Sequence, residues 1–92
     1  MEGKTKSGFK YNIDERALGD WRFILAVSKI QNGADMEKLE GAVEMVETLL
    51  GKDGHKALVA HIANKSEGGF VSAEAIMEEV NEIITASTKA KN

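Results

Sequence analysis

Asp14-Glu-Arg-Ala-Leu-Gly-Asp-Trp-Arg-Phe-Ile-Leu-Ala-Val27 holds the only tryptophan of the chain, set between Asp20 and Arg22. How this stretch is read decides the fold. Asp14 is a good helix N-cap, since its carboxylate can accept from the backbone N–H groups of a first turn. Ile13 before it and Leu18 after it are spaced as a hydrophobic staple. The spacing predicts a helix from about Glu15 to Ile30, stopped in a left-handed turn at Asn32-Gly33. On that helix Leu18, Trp21 and Leu25 form one apolar stripe, and Phe23, Val27 and Ile30 form another. A helix apolar on two sides is central to a small fold or buries one side in a partner. The expectation is that Trp21, Leu18 and Leu25 anchor the core, while Phe23, Val27 and Ile30 form the face offered to a partner. Arg16 and Asp20 have the spacing of an exposed i, i+4 pair. Gly19 inside a helix costs about 1 kcal/mol relative to alanine. It predicts a close approach there, as does Gly41 further along.

Upstream, Phe9, Tyr11 and Ile13 alternate with Lys10 and Asn12, the period of a half-buried strand. With a turn at Ser7-Gly8, the segment reads as a hairpin of Gly3–Lys6 against Phe9–Ile13. Downstream, Asp35 is expected to cap a helix over 36–50, with a stripe of Met36, Leu39, Val43, Val46 and Leu50, ending at Gly51. A shorter helix follows over 53–64. Ser72 then caps a last helix over 73–87, with Val71 and Ile76 as staple partners. Its stripe is Ala73, Ile76, Met77, Val80, Ile83 and Ile84, and Met77 and Ile84 join the candidate interaction residues. The expected architecture is mainly α: a small single domain over 1–88, of about four helices with a short N-terminal β-hairpin at about 3–13. Residues 89–92 read as a flexible polar tail.

At 92 residues with 42% hydrophobic and 29% charged side chains, the chain has an ordinary globular composition. A chain this long buries about 60–65% of its unfolded surface, enough for a modest core. Cysteine is absent, so disulfides and thiolate metal sites are excluded. The net charge of −3 with interspersed signs argues against nucleic acid as a partner. No apolar run approaches the ~20 residues of a membrane span. The N-terminal residues lack the apolar segment of a signal peptide, so a cytoplasmic location is expected.

No constellation of catalytic or metal-ligating residue types stands out in the sequence. His55 and His61 are six apart, not the three or four that place metal ligands on one helix face. Gly51-Lys-Asp-Gly54 lacks the pattern of a phosphate loop, and helix-stop chemistry explains it. Gly68 and Gly69 read as turn residues. Glu74, Glu78 and Glu82 recur along one side of the last helix, as a solvated face does. No Ser–His–Asp set is suggested beyond the presence of the residue types. No catalytic, cofactor-binding or metal-ligating residue is expected, and no enzymatic activity.

In order, the chain shows "KSGFKYNID" at 6–14, a helix of the form L-x-D-W-x-F-I-L, "LLGKDGHKAL" at 49–58 and "GGFVSAEAIMEEVNEI" at 68–83. This layout resembles the tail assembly chaperones of long-tailed, siphovirus-type phages and prophages of Gram-positive bacteria. The resemblance spans nearly the whole chain and rests on the order of the motifs, since each alone is a generic cap, turn or stripe. It implies a small helical, non-catalytic chaperone. Such a protein coats the tape measure protein in the host cytoplasm before tail-tube subunits polymerise around it, and is absent from the mature virion. Apart from the resemblance, self-association is the competing use of the same apolar faces. Many members are made in a second, longer form by programmed ribosomal frameshifting. Ala90-Lys91-Asn92 is compatible with a slippery codon run without requiring one. The alternative is a small helical oligomeric regulator or antitoxin-like protein-binding module.

Overall fold

The computed structural model describes residues 1–90 and is mainly helical. Two short strands, β1 (Glu2–Lys4) and β2 (Lys10–Asn12), pair antiparallel with Gly3 opposite Tyr11. The Thr5–Phe9 turn closes on hydrogen bonds from Thr5 N to Phe9 O and from Gly8 N to Thr5 O, both 2.9 Å. The expected alternation is present: Phe9, Tyr11 and Ile13 are buried, and Lys10 and Asn12 are exposed. A two-stranded ribbon is marginal alone. Its three apolar side chains belong to the same core as the helices.

The decisive stretch folds differently from the single helix expected of it. Glu15–Gly19 is a turn of 3₁₀ helix, Asp20 is extended, and the α-helix α1 runs from Trp21 to Asn32. Both aspartates cap. Asp14 accepts from the Arg16 backbone N–H at 2.9 Å and Asp20 from that of Arg22 at 2.8 Å. Each also pairs with the arginine two residues on, at 2.6 and 2.9 Å, so the expected Arg16–Asp20 pair does not form. Gly19 lies outside any α-helix, and nothing approaches the position its Cβ would take. Gly33 ends α1 in an extended conformation, φ −81° and ψ 168°, rather than in a left-handed turn.

Helix α2 spans Asp35–Lys65 and is broken at Gly51, where φ is 80° and ψ is 168°. The two helices expected at 36–50 and 53–64 are its two arms, so the described residues hold three α-helices rather than about four. Backbone of that kind is tolerated essentially only by glycine. Its N-cap is Ala34, which has no side-chain acceptor, and Asp35 is already helical; Glu37 reaches back to the Ala34 N–H at 3.1 Å. A 3₁₀ turn at Glu67–Gly69 leads to α3, Ala73–Ala90, capped as expected by Ser72, whose hydroxyl accepts from Ala75 N at 3.0 Å. Lys89 and Ala90 therefore continue a helix, and the rest of the expected tail, Lys91 and Asn92, lies outside the described residues.

Helix α1 lies antiparallel on the first arm of α2: Gly33 approaches Glu37, Lys29 pairs with Glu44 at 2.7 Å, and Arg22 lies beside Glu47 and Thr48. Gly41 makes this possible. A Cβ there would stand 2.7 Å from the Ala26 carbonyl oxygen and 2.9 Å from Lys29 Cβ. The close approach expected at Gly41 is present, and that expected at Gly19 is not. The second arm of α2 adds Leu58 and Ile62 to the core, and α3 adds Val80 and Ile83.

Candidate protein-binding faces

Helix α1 carries two apolar rows with the same i, i+3, i+4, i+7 spacing. One is Phe23, Ala26, Val27 and Ile30; the other is Trp21, Ile24, Leu25 and Ser28. The first faces the core: Phe23 and Ala26 are buried, and Val27 and Ile30 are half-buried against the same cluster. The second faces outward, with Trp21 70%, Ile24 48% and Leu25 44% exposed. The expected roles are thus exchanged. Trp21 and Leu25 do not anchor the core, and Phe23, Val27 and Ile30 are not an open face. Leu18 is half-buried, but it sits on the 3₁₀ turn and shares no helix with Trp21. What turns α1 this way is size. Ala26 sits in the middle of the Phe23 row and meets Gly41, so two backbones can approach there. The signal was present in the sequence as a small residue inside the correct row.

Met77 and Ile84 of α3 are half-buried against the core and leave little to offer. The expected stripe on α2 is also rotated. Gly41, Met45, Val46 and Leu49 face inward, while Met36, Leu39 and Val43 are 69%, 56% and 47% exposed. These last three, at i, i+3 and i+7, line a shallow groove with Glu40 and Glu44 as one wall. Among the described residues, the large exposed apolar side chains are thus a row on α1, a row on α2, and Phe70 in the turn before α3. Contiguous apolar rows of this kind mark interaction sites more often than isolated residues do.

The electrostatics around the α2 groove are acidic. The Lys29 amine is shifted upward, chiefly by its hydrogen bond to Glu44 and further by the charges of Glu44, Glu40 and Glu37. Lys29 sits on α1, so this field ties the two helices together as well as lining the groove.

A polar cluster gathers residues that sequence reasoning did not associate. Glu79 of α3 is buried and accepts hydrogen bonds from the hydroxyls of Thr5, at 3.0 Å, and Ser7. Ser7 Oγ also meets His61 Nε2 of α2 at 2.9 Å, and the Phe9 ring tilts against the imidazole with centroids 5.5 Å apart. Next to it, Glu82 accepts from the Lys6 backbone N–H at 2.8 Å. The trio of Ser7, His61 and Glu79 has the residue types of a hydrolytic triad but not its geometry. In a triad the acid orients the imidazole and the imidazole takes the serine proton. Here the carboxylate meets the Ser7 hydroxyl directly, so the acid is bonded to the serine and does not stand behind the imidazole as its orienting group. The cluster is a tie holding the hairpin turn to α2 and α3. A side chain from residue 7 meeting residues 61 and 79 leaves no local pattern in a sequence. His55, the other histidine, pairs across the Gly51 break with Glu47 at 3.2 Å. No group of three or more His, Asp or Glu side chains among the described residues is placed to hold a metal ion. No helix among them is long and apolar enough to cross a membrane.

Compared with protein-family models, with curated proteins and with solved structures, the chain finds no match in any of the three.

Proposed function

We propose that this chain is a non-catalytic protein-binding module that covers apolar helical segments of a client. Its particular role would be that of a phage or prophage tail assembly chaperone, keeping the tape measure protein soluble in the host cytoplasm during tail-tube assembly and leaving before the virion is complete. The observation that carries the binding reading is the outward row on the first arm of α2, Met36, Leu39 and Val43, seconded by Trp21, Ile24 and Leu25 on α1. A helix laid on such a row is a recurrent way to bind a helical client. The resemblance of the motif order to that chaperone family supplies the identity of the client. The interface residues in this proposal are the exposed rows, in place of Phe23, Val27, Ile30, Met77 and Ile84. Self-association and a longer frameshifted form belong to the same proposal.

Co-expression with a tape measure protein from the same phage or prophage tests this. The expected result is soluble client that co-purifies with the chain, lost when Leu39→Ser and Leu25→Ser are combined. A client equally insoluble with and without the parent chain overturns the chaperone role.

A further inference from the structure

The first arm of α2 carries two rows in register. Met36, Leu39, Val43 and Val46 are each followed by a glutamate: Glu37, Glu40, Glu44 and Glu47. Successive residues on an α-helix are about 100° apart. A shift of one residue therefore sets a row of carboxylates along one border of the apolar row. Val46 at the inner end is buried in the core, and the outer three apolar side chains are exposed. Most of the carboxylates are engaged. Glu37 accepts from the Ala34 N–H, Glu44 holds Lys29, and Glu47 holds His55. Glu40, in the middle of the row, is exposed and has no ion-pair partner among the described residues.

We propose that the Met36–Leu39–Val43 groove docks an amphipathic helix of another protein that carries Lys or Arg along the border meeting Glu40. The proposal rests on the protein-binding reading above and adds the chemistry of the partner. Charge selects this occupant. Between Asp35 and Glu44 there are four acids, Asp35, Glu37, Glu40 and Glu44, against one base, Lys38, a local charge of −3. A second copy would bring either its own acidic α2 row or α1, whose two bases, Arg22 and Lys29, are already paired with Asp20 and Glu44, and an anionic membrane would be repelled. The apolar row supplies the affinity. The glutamate border supplies orientation and encounter rate, as charges at an interface rim do, and exposed pairs are worth little by themselves.

The test uses the full chain and three labelled model helices of about five turns. All have one composition of Leu, Ala and charged residues. The first carries a leucine stripe bordered by lysine, the second the same stripe bordered by glutamate, and the third a scrambled order. By fluorescence anisotropy at low salt the lysine-bordered helix is expected to bind at least about tenfold more tightly than the glutamate-bordered one. That difference should collapse at about 1 M salt, where the screening length falls to about 3 Å. Leu39→Ser, at an exposed position, should abolish binding while leaving circular dichroism and melting unchanged. Glu40→Lys should remove or reverse the preference. Equal binding of both stripes, lost together in Leu39→Ser, overturns the charge selection and leaves the protein-binding reading intact. Binding that survives Leu39→Ser, or a dimer in light scattering that this variant dissociates, overturns the groove as the site for such a partner. Co-purification of the tape measure protein is read separately, so failure of the charge selection is distinguishable from failure of the chaperone role.

Discussion

Gly41 and Gly19 are the same residue type in segments that read alike, and they behave differently. A methyl group on Gly41 would press on the Ala26 carbonyl oxygen, which cannot move without moving α1. Alanine is the better helix former by about 1 kcal/mol, but overpacking costs about 1–3 kcal/mol. Gly41→Ala is therefore expected to destabilise by about 1 kcal/mol or more in urea unfolding. Gly19→Ala, with open space around it, should leave the midpoint unchanged within about 0.5 kcal/mol. The close contact was legible at Gly41 because that helix is continuous there. It was misread at Gly19 because Asp20, six residues after Asp14, is a second N-cap and interrupts the helix between them. The two caps also carry a pH signature. Arg16 and Arg22, bonding through side chain and then backbone, hold Asp14 and Asp20 down from 3.8 to about 2. A folded-state value below the unfolded one means these groups stabilise the fold above about pH 4. That contribution is lost as pH falls toward 2. The Asp14→Asn/Asp20→Asn double variant keeps capping groups but loses the charges. Its melting temperature is expected to fall less than that of the parent between pH 5 and pH 2.

At the scale of elements, the hairpin, the α2 break at Gly51 and the Ser72 cap were readable because each is signalled by adjacent residues. The rotation of α1 and α2 was not. Both helices carry apolar residues over a wide arc, and periodicity marks the arc without saying which part is covered. Small residues decide it, Ala26 against Gly41, and that pairing is a tertiary fact. The break itself should be sensitive to backbone, not to crowding. Gly51→Ala meets no neighbour but must adopt a conformation L residues avoid, and should cost about 1–3 kcal/mol. The tie between hairpin and helices was invisible for the same reason of distance. Glu79→Ala leaves the Thr5 and Ser7 hydroxyls without their acceptor, and hydrogen bonds to a charged group are worth about 1.5–3 kcal/mol. Its expected signature is local: hydrogen exchange at Phe9 and Lys6 should accelerate more than exchange in α1.

For the whole molecule, stability and surface are carried by different residues. Leu58 is fully buried, and Leu58→Ala should cost about 2–5 kcal/mol by chemical denaturation. Trp21→Ala removes the largest side chain of the sequence yet should shift stability by no more than about 0.5 kcal/mol, because that ring lies outside the core. As the only tryptophan, it should already emit like a solvated indole in the native state and be quenched freely by acrylamide. A client seated on α1 should shift its emission to shorter wavelength. The described residues form a slab of 35 × 34 × 20 Å. Its thin dimension matches two layers of helices, each about 10 Å across with side chains. A docked helix would act as a third layer and turn what is now an outer wall into an interior one. The heat resistance of this protein should therefore be a titratable property, rising with the amount of client as mass action requires, so that a thermal scan doubles as a binding assay without any label.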